Sequence, residues 1–248
     1  MQILDRTNYI LHGLHRINLI FIRIMSTAIA VICLCSIAFA ESAERFAGSM
    51  AVSSSVSSPF GGLFGYQEVP QHDISVFPQW LDVLEEQLTS DLKDGSCDDT
   101  ARFNRCHLDE WHTYLNSIQE LPRDAQLDAV NRFANEKNYV LDIENYGRED
   151  YWAIPELFLE NGGDCEDYVI VKLFSLRWLG WDVETMRLVV VQDTNLRLPH
   201  AVLAVASGKN VFILDNQASR IVPERTIVHY APVYSISDRQ WWLHLPTT

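Results

Sequence analysis

From Phe77 to about residue 135, apolar residues return every three or four positions. After residue 180 they gather into short β-branched runs. In FPQWLDVLEEQLTSDL the spacing predicts a helix with Trp80, Leu81, Leu84 and Leu88 on one face, ending near Asp94-Gly95. DEWHTYLNSIQEL repeats the pattern through Trp111, Tyr114, Leu115 and Ile118. A third helix opening at Pro122 carries Leu127, Val130 and Phe133, because proline suits a first helical turn. EDYVIVKLFSLRWLG predicts a fourth, with Val169, Ile170, Leu173, Phe174 and Leu176 in register and Gly180 as its stop. The runs VETMRLVVVQ, HAVLAVA and VFILDN then read as strands separated by Asn, Gly and Pro turns. Helices followed by strands predict an α+β domain, an N-terminal helical layer packed on a C-terminal antiparallel sheet.

Upstream of this domain, placed at 71–248, the pattern differs. Arg16 and Arg23 precede the apolar run IMSTAIAVICLCSIAFA, which closes on Ala38-Phe39-Ala40. That order reads as a secretory signal peptide over 1–40, and the short run with its small-residue ending favours cleavage over a retained anchor. Residues 41–70 are Ser/Gly-rich and read as a flexible leader in which Phe60, Leu63 and Phe64 are free to dock. Export into the periplasm is the expectation. Loss of residues 1–40 would remove three basic and one acidic residue from 19 and 33, leaving 16 against 32. With no basic stripe to meet a phosphate backbone, nucleic acid is excluded as a partner class.

Cleavage would also remove Cys33 and Cys35 of the five cysteines. Cys97 and Cys106 enclose DDTARFNR, a loop that can close as a disulfide in an oxidising compartment, and Cys165 is then the odd thiol. Cys165 lies in ENGGDCEDYVIVKLF, directly behind Gly162-Gly163, at the start of the fourth helix. A helix N-terminus lowers a thiol pKa and offers amides to an oxyanion. A base would come from His200, at the start of HAVLAVA, with Asp215 at the end of VFILDN to orient it. A tight turn centred on Ser207-Gly208 sets His200 directly across from Asp215, and a one-residue slip on each strand leaves them one pair apart on the same face. Cysteine, histidine and aspartate so placed suit thiol-mediated acyl transfer.

Asp164, Glu166 and Asp167 flank the sulfur and work against this. At about 6 Å and an effective dielectric near 20, each carboxylate opposes a thiolate by roughly 3 kcal/mol, about two pKa units. Elsewhere, CHLDEWH offers Cys106, His107 and His112 but no second ligand pair at zinc spacing, and reads as a helical surface. Trp152, Trp241 and Trp242 read as core rather than substrate platform, with lining the cleft as the alternative for Trp152.

NGGDCEDYVIVKLFSLRWLG, YGREDYWAIPELFLE, HAVL, LDN and YAPVYSIS together resemble the bacterial transglutaminase-like cysteine proteinases, from about Trp80 to Trp242. The resemblance implies a papain/transglutaminase-like fold, with Cys165 as nucleophile, His200 as general base and acid, and Asp215 as the orienting carboxylate. It further implies a periplasmic, calcium-dependent endopeptidase that cuts a large surface adhesin near its N-terminus and releases it, promoting biofilm dispersal. An inner-membrane cyclic di-GMP receptor of LapD type would sequester it. A Ca²⁺ ion on Asp164, Glu166 and Asp167 would offset the charge around the thiol. Three side chains cannot fill its shell, and Asp142, Glu144 and Asp150 are unranked further ligands. The alternatives are a peptidoglycan amidase or transglutaminase-type acyl transferase using the same trio, and a non-catalytic calcium-binding adaptor. The lack of a wall-binding repeat disfavours the first, and the intact trio disfavours the second.

Overall fold

The computed structural model describes residues 58–93, 97 and 105–247. The predicted signal peptide and the leader up to residue 57 lie outside them. Six α-helices occur among the described residues: α1 Pro78–Asp91, α2 Cys106–Ile118, α3 Arg123–Asn135, the short α4 Asp142–Asn145, α5 Pro155–Asn161 and α6 Cys165–Trp178. One antiparallel sheet holds β1 Gln67–Gln71, β2 Met186–Asp193, β3 Leu198–Ser207, β4 Asn210–Leu214, β5 Val222–Pro223, β6 Tyr230–Ile236 and β7 Trp241–Leu245. Its order is β1-β7-β6-β2-β3-β4-β5. The predicted α+β layering is present, with β1 as an addition ahead of the helices. No helix among the described residues is long and apolar enough to cross a membrane.

The most deeply enclosed helix is α6. Its residues Asp167–Leu173, Ser175 and Leu176 are all buried, so burial runs around the whole helix. Helices α3 and α5 cover one side while β2 and β3 cover the other. Trp111 of α2 donates from Nε1 to Ser175 Oγ at 2.9 Å, tying a further helix to it. A helix buried all round shows no single apolar stripe.

The outer helix α1 departs from the expected face. It buries Trp80, Val83, Gln87 and Ser90, while Leu88 is 62% exposed and Leu81 lies near the surface. Polar contacts set this rotation. Trp80 Nε1 donates to the Ser237 carbonyl at 3.1 Å, and Ser90 Oγ donates to Glu156 at 2.5 Å. Arg105 joins the same group through Ser90 and an ion pair with Glu156 at 3.4 Å. At the head of α2, Cys97 and Cys106 form the disulfide the spacing allowed, leaving Cys165 as the free cysteine among the described residues.

Both faces of the sheet are buried. Leu188, Ala201, Leu203, Val205 and Leu214 face the helices. Val189, Val191, Val202, Ala204 and Ile213 face away and pack against Phe60 and Leu63. The strand runs are continuously apolar for that reason. Residues 58–66 therefore form a strap across the back of the sheet, and β1 pairs with β7. A single flexible leader over 41–70 is thus corrected: from Ser58 onward the chain is part of the domain. Phe60 and Leu63, which the sequence leaves free to dock, are the apolar anchors that hold it.

Arg187 of β2 clamps the strap. Its guanidinium pairs with Glu68 at 2.9 Å, donates to Ser58 Oγ at 3.0 Å, and lies over the rings of Phe60 and Trp242. Leu63→Ala, which empties a fully buried site, is expected to cost about 2–5 kcal/mol in urea unfolding, and Phe60→Ala about 3–5 kcal/mol. Leu88→Ala, on the exposed side of α1, is expected to stay within about 0.5 kcal/mol. A flexible leader or the sequence-predicted face of α1 would give the opposite ranking.

Candidate active site

The start of α6 is set by close backbone approaches that need both glycines. Gly162 ends α5 with φ 76, and a Cβ there would meet the Asn138 carbonyl. A Cβ on Gly163 would meet the Asp167 carboxylate. Gly163 also exchanges backbone bonds with the neighbouring segment: Val140 N–H donates to its carbonyl at 3.0 Å, and its own N–H donates to Asn138 at 3.3 Å. Asp167 accepts the Ala153 N–H at 2.7 Å and the Asp164 N–H at 3.1 Å. Turn, helix start and the loop before α5 are thereby locked together, with Cys165 as the first helical residue.

Cys165 is partly buried against the main core, and its sulfur donates to the Glu166 carboxylate at 3.2 Å. Burial, then the charge and hydrogen bond of Glu166, then Asp164, push the thiol far above its ordinary value. The backbone N–H of Ala201 on β3 acts the other way. His200 is the adjacent residue in β3, so Ala201 is where the strand meets the helix start; the sulfur's hydrogen bond goes to Glu166 and that of the His200 ring to Asp215.

His200 and Asp215 are directly joined, Nε2 to Oδ1 at 2.9 Å, and both are buried. The hairpin pairs Ser207 with Asn210 and Leu203 with Leu214, so the slipped register of the two open alternatives is the one adopted. Asp215 also accepts the Gln217 N–H at 2.8 Å and the Tyr230 hydroxyl at 2.7 Å. Burial works to raise the Asp215 pKa, but the bonds from His200, Tyr230 and Gln217 prevail and hold it below the usual value. An ionised Asp215 keeps a proton on Nε2, which leaves Nδ1 as the basic ring nitrogen.

The acidic residues form a connected group. Ligand atoms of Asp142, Asp164 and Asp167 lie within 4.8 Å of one another, as do those of Asp142, Asp150 and Glu166. Asp164 with Glu166 and the Cys165 sulfur forms a third such set. Burial and neighbouring carboxylates raise Glu166 to about 9, Asp167 to about 8 and Asp142 to about 6. Oδ1 of Asp164 and Oδ1 of Asp142 are buried without a hydrogen-bond partner. Of the unranked further acids, Asp142 and Asp150 join the group and Glu144 does not. Asp167 belongs to it while already accepting two backbone amides, so Asp164 and Glu166 are the freer donors. Repelling carboxylates with orphaned oxygens fit a hard divalent cation.

Two residues near the pair escaped sequence reasoning. Tyr230 gave no signal beyond its place in YAPVYSIS. Lys172 is visible as the lone charge in VIVKLF; it is fully buried, and burial lowers its pKa to about 7 against the pull of Asp215. Trp152 donates to Asp150 at 3.0 Å and packs edge-on against Trp80, which puts it beside the acidic group. His112 is stacked on Trp178 with ring centres 4.1 Å apart, as suits a helical surface.

Legionella pneumophila LapG in its calcium-bound form is 29% identical, with a TM-score of 0.52 over 65% of this chain and 87% of that one. LapG after EGTA treatment is 29% identical, with a TM-score of 0.52 over 67% and 86%. Comparison with curated protein sequences gives no match. A model of the bacterial transglutaminase-like cysteine proteinases, BTLCP, matches residues 96–248, the span that carries Cys165, the His200–Asp215 pair and the acidic group. The chain belongs to that family of cysteine proteinases.

Proposed function

We propose that this protein is an exported, calcium-dependent cysteine endopeptidase of the periplasm that cuts a large surface adhesin near its N-terminus and so releases it from the cell. The observation that carries the reading is the buried His200–Asp215 pair, 2.9 Å apart, with His200 next in the chain to Ala201, whose backbone amide meets the free Cys165 at a helix start. Membership of the cysteine proteinase family and the likeness to LapG support it. An inner-membrane cyclic di-GMP receptor of LapD type is the proposed partner that holds the enzyme back, and adhesin loss would disperse a biofilm.

In this reading Nδ1 of His200 takes the thiol proton, and the sulfur attacks the carbonyl carbon of the scissile bond. The amides at the start of α6 stabilise the oxyanion. Imidazolium then gives its proton to the leaving amine as the C–N bond breaks, and water, deprotonated by His200, hydrolyses the thioester to regenerate the thiol. Asp215 orients the ring and balances its charge throughout. Asp164 and Glu166, with Asp142, Asp150 and Asp167, would hold Ca²⁺, whose positive charge would relieve the carboxylates that oppose the thiolate.

Cys165→Ala and His200→Ala are expected to abolish cleavage of the adhesin's N-terminal fragment with the fold intact. Asp215→Asn should lower kcat by about 10²–10⁴-fold, because the ring loses its tautomer and orientation. Cleavage by Cys165→Ala would end the thiol mechanism.

Calcium should raise both the rate of Cys165 alkylation at neutral pH and the rate of cleavage, and a chelator should lower both, with Mg²⁺ a poor substitute because it demands a tighter shell. Full-rate cleavage by chelated, folded enzyme, with the fold checked by circular dichroism, would remove the calcium role.

Glu166 supplies a pH test. Its folded value near 9 exceeds the ordinary 4.5, so the folded chain keeps a proton that the unfolded chain releases. Wild-type stability from this group is therefore lost as pH rises through that window. In chelator, the melting temperature of Glu166→Gln should gain on the wild type steadily from pH 5 to pH 9, and calcium should shrink the gap. A pH-independent difference would contradict the acidic-group account.

A further inference from the structure

Tyr230 opens β6 and is buried on the back of the sheet, in the cluster that holds Leu63, Val191 and Val202. Its hydroxyl donates to Oδ2 of Asp215 at 2.7 Å. Oδ1 of the same carboxylate takes the Gln217 N–H and the imidazole. Both oxygens are thus held, and rotation of the carboxylate about its Cβ–Cγ bond would strain the Tyr230 bond together with the bond to the imidazole. We propose that Tyr230 is a positioning residue for the reaction: its hydroxyl fixes the plane of the Asp215 carboxylate and, through it, the orientation of the His200 ring. The inference rests on the reading of Cys165, His200 and Asp215 given above.

The bond runs in one direction. Burial, together with the bond to Asp215 and its charge, pushes the phenol well above its ordinary value, so the hydroxyl stays a donor over the whole working range. The other charged or titratable groups facing this pair are Asp193 on β2, Lys172 on α6 and His229 next in the chain. None of these is hydrogen-bonded to Asp215, so the hydroxyl has no replacement among the described residues.

The ring is itself held by the strap. Phe64 lies edge-to-face on it, centroids 6.1 Å apart at 82°. Phe64 adopts a left-handed backbone with φ 54, and its N–H donates to Glu224 at 3.3 Å. A phenylalanine is rarely kept in that conformation unless surrounding contacts impose it. Strap, phenol, carboxylate and imidazole form one chain of contacts across the sheet.

Tyr230→Phe deletes the hydroxyl and leaves the ring in its cluster. With the calcium-loaded enzyme and the adhesin's N-terminal fragment, kcat should fall about tenfold with KM unchanged, the loss expected of one ordering hydrogen bond. Asp215, relieved of one donor, should bind the imidazolium more strongly, so the acid limb of the kcat/KM profile, where His200 loses the proton that stops it acting as base, should move to higher pH. The double variant Tyr230→Phe/Asp215→Asn should be no slower than Asp215→Asn, because the hydroxyl acts only through that carboxylate. All rates are taken below each variant's melting temperature. Unchanged kcat and pH limbs in Tyr230→Phe, or additive losses in the double variant, would overturn the positioning role while Asp215→Asn remains slow. Full activity in Asp215→Asn would instead overturn the catalytic reading itself, and this inference with it.

Discussion

The structure depends on where the Asp167 carboxylate is put. It is completely buried, lies against the bare Cα of Gly163, and accepts amides from Asp164 and Ala153. A buried carboxylate is tolerated only when its hydrogen bonds are made, and these two bonds join the helix carrying Cys165 to the loop that leads into α5. Everything near the sulfur follows. Gly163 can have no side chain, the chain before it must run beside Asn138 and Val140, and α6 must begin at Cys165. The acid that looks like a third metal ligand in the sequence is first of all the bolt of the turn that carries Cys165.

How much of this was legible depended on the range of each interaction. The order of helices and strands, the hairpin of β3 and β4 and the meeting of His200 with Asp215 are written in local periodicity and turn chemistry. The hairpin left two registers open, and both brought the pair together, so the outcome was insensitive to the ambiguity. The face of α1 was not legible, because it is turned by Arg105 and Glu156, the latter 66 residues from Ser90. The strap was hidden as well. Phe60 and Leu63 stand in a stretch whose Ser and Gly dilute any pattern, and their reason to dock is a sheet face built more than a hundred residues later. The same contact explains why β2 and β3 lack the alternation of a half-exposed strand.

Within the site, the residues singled out from sequence are those with distinctive chemistry in distinctive company. Cys165 is announced by two glycines and three acids, whereas Lys172, although isolated in an apolar run, is passed over. Tyr230 has neither mark. Its contact with Asp215 is made between β6 and the end of β4, with β2 and β3 between them in the sheet, and only the assembled sheet brings the phenol to the carboxylate. Asp142 and Asp150 are intermediate cases: their type was suggestive, but only the fold separates them from Glu144.

The acidic surroundings of the sulfur then have a coherent physical sense. With the carboxylates unrelieved, the thiol donates to Glu166 and is held neutral by burial and by the charges beside it. The helix N-terminus and the Ala201 amide favour the thiolate, but a dipole worth about half a charge does not outweigh several nearby carboxylates. The His200–Asp215 pair is fully assembled all the same, since Asp215 is held ionised by bonds that do not involve the acidic group. The two halves of the site are therefore tuned independently: His200 and its supports are permanently set, and the state of Cys165 follows the charge of the group formed by Asp142, Asp150, Asp164 and Glu166. In the proposed reading, a thiol arranged in this way would be governed by whatever neutralises those carboxylates. Their place next to the sulfur would make cation binding a direct condition on reactivity, beyond any contribution to the stability of the fold.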